Sequence, residues 1–207
     1  EVMQNLLSFG KLRIDARLAC LREKAKSGRD PSTPDETLNY LLYTIQTLRP
    51  SRILEIGTGE GLSGAAMLFA AKDARLTSIE CEEERFFTAK KNFADLGLSA
   101  RADLIFGDAG EVLPHLNGAY DLIFLDGPKA QYLNYFPCLK ALLRSGGVLF
   151  ADDVLLYGWV DGREPMPAKR RPLVEKIRAY LRAVLEDPDF ITSVLPLGEG
   201  VAVSVRL

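Results

Sequence analysis

The chain has 207 residues, 47% hydrophobic and 26% charged, with a formal net charge of −2. These are ordinary values for a globular protein long enough to bury one large core. They exclude collagen-like and low-complexity classes, and no stretch approaches the ~20 apolar residues of a membrane span. Residues 1–10 lack the basic head and apolar run of a signal peptide. The charge is uneven: 11–29 holds seven basic and two acidic residues, and 161–182 holds seven and three. Each basic segment is either a solvated helix face or a local site for an anionic partner. Three cysteines, at 20, 81 and 138, form no CxxC pair and read as reduced, buried thiols of a cytoplasmic protein.

In chain order, residues 11–27 read as an amphipathic helix with Leu12, Leu18 and Leu21 near one face. It suits either a homodimer interface or a lid. A Pro-flanked break at 30–34 contains Thr33, and a second helix over 35–48 turns Leu38, Leu41, Leu42 and Ile45 inward. Short apolar runs at 52–56, 76–79, 102–106, 121–125 and 148–151 have the length of buried strands. Helical stretches at 63–72, 82–96 and 130–143 lie between them. A polar loop with Pro165, Pro167 and Pro172 precedes a helix over 173–185, and runs at 190–195 and 201–205 flank a turn. The alternation predicts an α/β fold. It is Rossmann-like and doubly wound, a mostly parallel seven-stranded sheet with helices on both faces and a C-terminal antiparallel hairpin. The chain reads as one domain, with 1–34 a helical extension and 35–207 the core.

Glu55-Ile-Gly57-Thr-Gly59-Glu-Gly61 follows the first strand and opens a helix. Glycines there let backbone approach a ligand in the crevice past the strand ends. A dinucleotide fingerprint needs a third glycine where this chain has Leu62, which speaks against a nicotinamide dehydrogenase. Glu80 ends the next strand, where a carboxylate can accept from two ribose hydroxyls. Asp108 and Ala109 follow the third strand, beside the place for an adenine. Ser63 either caps its helix or touches a cofactor carboxylate. Asp126 closes the fourth strand and Asp152-Asp153 the fifth, so three carboxylates converge. Their repulsion calls for a hard divalent cation such as Mg2+. Lys129, three residues past Asp126, is placed to reach an acceptor oxygen. His115, the lone histidine, reads as structural.

The Glu55–Gly61 loop and Glu80 resemble the class I S-adenosylmethionine-dependent methyltransferases. The resemblance implies S-adenosyl-L-methionine as cofactor, met by Thr33, Glu55, Gly57, Gly59, Ser63, Glu80, Asp108, Ala109 and Asp126. Asp126, Lys129 and the pair 152–153 are similar to the cation-dependent O-methyltransferases of the catechol and caffeoyl-CoA type, which commonly carry Asp-Asn at the pair. That implies a metal on Asp126, Asp152 and Asp153, with Lys129 as general base or as a charge favouring the alkoxide, Asp126 sharing the catalytic role. Leu125–Tyr132, Asp152–Gly158, Lys169–Arg171 and Leu195–Val201 resemble the bacterial tRNA 5-hydroxyuridine methyltransferases more closely, though that family tends to show Asp-Ala and Gly-Asp-Gly where this chain has Asp126-Gly127 and Gly198-Glu199-Gly200. The implied acceptor is the tRNA wobble base. A small catechol-like molecule or thioester is the alternative, and a non-catalytic RNA-binding module a third reading. Arg163 and Lys169–Arg171 suit phosphates, and Tyr157 and Trp159 suit either ring stacking or core packing.

Overall fold

The computed structural model describes residues 12, 14–27 and 33–207. The expected helix start at residue 11 and the break at 30–32 lie outside them. Five short strands, β1 (Arg52–Ile56), β2 (Arg75–Glu80), β3 (Ala102–Phe106), β4 (Tyr120–Leu125) and β5 (Leu143–Ala151), pair in parallel. β6 (Phe190–Leu195) and β7 (Val201–Arg206) form a hairpin that joins β5 antiparallel through β7. The order is β3-β2-β1-β4-β5-β7-β6, the Rossmann-like doubly wound arrangement read from the sequence.

The central strands are apolar on both faces because helices cover both faces. Ile53, Leu122, Phe124, Val148 and Phe150 pack under α2 (Asp35–Leu48) and α3 (Leu62–Ala70), with Leu38, Leu41, Ile45 and Leu68 completing that layer. α1 (Ala19–Ser27), entered through a turn that buries Leu18, adds Leu21. On the other face, Leu54, Ile56, Ile123, Leu125 and Leu149 meet α6 (Tyr132–Leu142) and α7 (Arg171–Glu186) through Phe136, Leu139, Val174 and Ile177. α4 (Glu83–Asp95) packs beside β3, and a short α5 (Ala109–Val112) follows it.

The ladder continues past the strands at their carboxyl ends. Gly107 N–H donates to Glu80 O (2.9 Å), Gly57 N–H to Ile79 O (3.0 Å), Asp126 N–H to Ile56 O (2.9 Å) and Asp152 N–H to Leu125 O (3.0 Å). The residues after four strands are thereby held in step along one edge.

Some expectations need correction. β5 begins at Leu143, not 148, and α6 stops at Leu142. Exposed Arg144–Gly146 break the apolar run, and the β4–β5 register shifts between Tyr120 and Leu122, so the first half of the strand lacks a pattern readable in sequence. α7 starts two residues early, with Pro172 in its first turn, where its missing N–H costs nothing. Cys20 and Cys81 are exposed and Cys138 half-buried, so none of the three free thiols is buried as expected. Among the described residues no helix is long and apolar enough to cross a membrane.

Phe150 sits at the centre, fully buried between Phe124 (ring centroids 5.7 Å) and Tyr40 (6.0 Å). Phe150→Ala should destabilise the fold by about 3–5 kcal/mol. Urea unfolding should show a lower midpoint at unchanged slope.

Candidate functional site

A cleft of about 460 Å³ opens where the strand order reverses, between β1 and β4, the usual ligand position in such sheets. Its floor is the loop after β1. Gly57 has φ +95°, and a side chain there would strike the Asp126 carbonyl, so glycine is required where the ends of β1 and β4 meet. The Gly59 N–H donates to Glu80 Oε2 (2.8 Å), and the Glu82 N–H to Glu80 Oε1 (2.9 Å). This anchors the acid at the rim and couples the loop to β2.

Thr33, Gly57, Gly59, Ser63 and Glu80 line the cleft, and so do Asp108, Ala109, Asp126 and Lys129. Asp108 caps α5 by accepting from Gly110 N–H (2.7 Å). Glu55 stands one layer back. It is fully buried and outside the cleft lining, its oxygens taken by the hydroxyls of Ser63 (2.5 Å) and Ser78 (2.6 Å). Ser63 therefore bonds to Glu55 and makes no cap. Burial pushes the Glu55 carboxyl up to about 7 against the pull of the two hydroxyls, and the charges of Asp126 and Glu80 add to the rise.

Several lining residues were not singled out from the sequence. Lys24 and Ala25 of α1 border the cleft. Arg22 fastens α1 to the Thr33 segment, donating to Thr33 O (2.8 Å) and pairing with Asp35. Tyr135, almost fully buried, also lines the cleft. Its place three residues after Tyr132 on a helix following Lys129 was the available signal.

Beyond Asp126 a smaller cavity of about 170 Å³ shares Thr33, Asp126 and Asp153 with the cleft and adds Asp152, Tyr157 and Glu199. The three aspartates expected to converge border this one space. Tyr132, fully buried, ties their strands together, its hydroxyl lying 3.0 Å from Leu125 O and 3.1 Å from Asp152 O. Lys129 Nζ lies between Asp126 Oδ1 (2.5 Å) and Asp153 Oδ2 (3.1 Å). Burial opposes the charge on Lys129, but Tyr132, Asp126 and Asp153 outweigh it and hold the ammonium protonated well above the ordinary lysine range. Burial raises Asp126 against the pull of Lys129, and burial with the charges of Asp126 and Asp153 lifts Asp152 to about 8.

As these side chains stand, no group of three His, Cys, Asp or Glu among the described residues is arranged to hold a metal ion. The chemistry of the donor set nevertheless fits one. Three hard oxygen donors border one small space with their like charges side by side, and a divalent cation relieves that repulsion. Trp159 packs on the core beside exposed Tyr157 (ring centroids 4.8 Å), and His115 lies exposed, away from the cleft lining.

Fold and cleft together define a Rossmann-like α/β protein with its ligand crevice at the switch point and a carboxylate pocket adjoining it. A family model described as O-methyltransferase matches residues 17–207. The chain belongs to that O-methyltransferase family. It is 35% identical over 202 residues to a "Probable O-methyltransferase" of Mycobacterium tuberculosis, covering 95% of this chain and 88% of the relative. A solved structure from Staphylococcus aureus, assigned as a caffeoyl-CoA O-methyltransferase, matches with TM-score 0.89 and 28% identity over 99% of this chain and 98% of that one. A Podospora anserina methyltransferase bound to SAH matches in fold, with TM-score 0.88 and 24% identity over 100% and 95% of the two chains.

Glu55 generates a pH prediction. Its carboxyl, near 7 in the folded protein and at about 4.3 when unfolded, binds its proton more tightly in the native state. The stability this contributes is complete below the unfolded value and is lost as pH rises through the folded one. Wild type should therefore lose stability between about pH 4 and 7 relative to Glu55→Gln, which keeps the uncharged form. Denaturation midpoints of both proteins across that range provide the check.

Proposed function

We propose that the protein is an S-adenosylmethionine-dependent O-methyltransferase that uses a divalent cation, Mg2+ by the hardness of its donors, and methylates 5-hydroxyuridine at the wobble position of tRNA. The observation that carries this reading is the adjacency of two spaces. A nucleoside-sized cleft and a carboxylate pocket meet at Asp126 and Lys129.

The sulfonium of S-adenosylmethionine supplies an electrophilic methyl group. The main chain at Gly57 and Gly59 and the carboxylate of Glu80 are the groups to hold the cofactor, Glu80 by accepting from ribose hydroxyls. Asp126, Asp152 and Asp153 are the groups to hold the cation, whose chemistry is to lower the acceptor hydroxyl's pKa and fix its direction. Asp153 stands where the resembling family commonly has Asn and offers the same oxygen with one more negative charge. Lys129, set between Asp126 and Asp153, is placed to act on the acceptor oxygen either as general base or as a charge that favours the oxyanion. Tyr132, by bracing the ends of β4 and β5, keeps Asp126 and Asp152 facing one space. The walls around them hold donor and acceptor close, a contribution of several kcal/mol to the rate.

The choice of tRNA rests on charge. Lys169, Arg170 and Arg171 are exposed and make no ion pair among the described residues. They stand at the start of α7, where cations oppose the helix dipole by about 0.3–1 kcal/mol each. A phosphate backbone offsets that cost. Arg163 stands beside Gly158 with its guanidinium paired to Asp161 and does not add a free charge. The likeness to the Staphylococcus aureus structure favours a second reading, a small catechol-like or thioester acceptor.

Transfer of labelled methyl to tRNA bearing 5-hydroxyuridine is the deciding assay. Transfer that EDTA abolishes and Mg2+ restores is expected, while transfer to a catechol alone would move the conclusion to the second reading. Glu80→Ala should weaken S-adenosylmethionine binding in calorimetry by roughly 10- to 100-fold, the size of hydrogen bonds to a charged group. Charge reversal at Lys169, Arg170 and Arg171 should depress tRNA methylation and flatten its salt dependence.

A further inference from the structure

One wall of the smaller cavity is built by the loop after β5, which carries Asp152 and Asp153, and by the hairpin turn between β6 and β7. The two are strapped together. Val154 N–H donates to Gly200 O (2.9 Å), and Leu155 and Leu156 N–H donate to Glu199 O (2.8 and 3.1 Å). The Tyr157 N–H donates to Glu199 Oε2. This fixes a backbone that L-residues otherwise avoid, with φ 57° at Asp153, 37° at Leu156 and 54° at Tyr157. Such strain persists where surrounding structure holds it, and it clusters at functional sites. Gly200 permits the close approach, since a side chain there would strike Leu155. The arrangement leaves Tyr157 56% exposed at the cavity rim and brings the Glu199 carboxylate into the lining beside Asp126, Asp152 and Asp153. Glu199 Oε2 is committed to Tyr157, while Oε1 accepts no hydrogen bond among the described residues.

A carboxylate is an acceptor only. One lining the pocket therefore selects a donor at the point of the ring that it meets. We propose that Glu199 is a specificity-determining residue, accepting through Oε1 a hydrogen bond from an imide-type N–H on the acceptor ring while Oε2 holds the Tyr157 wall in place. The inference rests on the acceptor class proposed above. A uracil ring with a 5-hydroxyl carries its chelating oxygens on C5 and C4, and its N3–H adjoins C4. A catechol carries C–H at the equivalent place. Glu199 therefore distinguishes two acceptors whose chelating oxygens are alike, and a site built to bond an N–H discriminates strongly against an analogue that lacks it.

The test compares synthetic anticodon stem-loop RNAs bearing 5-hydroxyuridine or its N3-methyl derivative, which keeps both oxygens and loses the donor. For the wild-type protein with Mg2+, kcat/KM for the N–H substrate should exceed that for the N-methyl substrate by about 10-fold or more. Glu199→Ala, which removes the acceptor and opens space, should bring the ratio near one. Glu199→Gln retains a carbonyl oxygen for the Tyr157 N–H and turns its amide donor toward the ring, so it should also collapse the ratio. A role confined to bracing the loop would leave the Gln variant's ratio at the wild-type value, and that result overturns the inference. A wild-type ratio near one overturns it as well. Transfer to neither RNA, with a catechol methylated, overturns the tRNA reading and the inference with it.

Discussion

The parallel register of the sheet is the constraint from which the site follows. Four N–H groups just past β3, β1, β4 and β5 continue the ladder onto carbonyls at or next to the ends of β2, β1 and β4, so the five strands finish level with one another. Whatever residues follow them share one edge. The glycine loop, Glu80, Asp126 and Asp152 are neighbours for that reason alone, although 96 residues of sequence lie between Glu55 and Asp152. The contact of Gly57 with the Asp126 carbonyl brings the two halves of the site together at the switch point. A bulkier residue there would part the donor cleft from the carboxylate pocket.

That shared edge creates an electrostatic problem which the structure answers locally. Glu55 and Asp152 are buried and Asp126 is half-buried near them, and desolvation raises each of the three. Glu55 is met by two serine hydroxyls, Asp126 by Thr33 and Lys129, and Asp152 by the backbone N–H of Asp153 (2.8 Å). Lys129 Nζ bridges Asp126 and Asp153 at 2.5 and 3.1 Å. Partnering of this kind keeps carboxylates in an interior that otherwise favours their neutral form.

Much of this was legible in the sequence because the signals were periodic or local. The inward face of α2 could be read from Leu38, Leu41, Leu42 and Ile45, all buried, and the apolar strands ended visibly in glycine or aspartate. The start of β5 was not legible, because Arg144–Gly147 have neither alternation nor an apolar run and are placed by the irregular pairing with β4. Glu55 was expected among the cofactor-meeting residues because it opens the glycine loop, yet its carboxylate turns toward α3 and Ser63, outside the cleft lining. Glu199 was visible only as a turn residue. Its place beside Asp152 depends on β7 returning antiparallel against β5, a long-range pairing that local sequence does not encode. Tyr132 is similar: its position past Lys129 could be seen, but not the two carbonyls its hydroxyl meets.

The antiparallel return of β7 also divides the labour along the chain. The groups around the nucleoside-sized cleft come from residues before 136, apart from Asp153. The far wall of the smaller cavity comes from Asp152–Tyr157 and Glu199, joined by main-chain bonds between loop and turn. Acceptor preference can thus diverge by exchange of the C-terminal hairpin and its partner loop as a cassette, while the donor half is inherited unchanged. Homologues with the same cofactor chemistry and different substrates should differ first in that cassette.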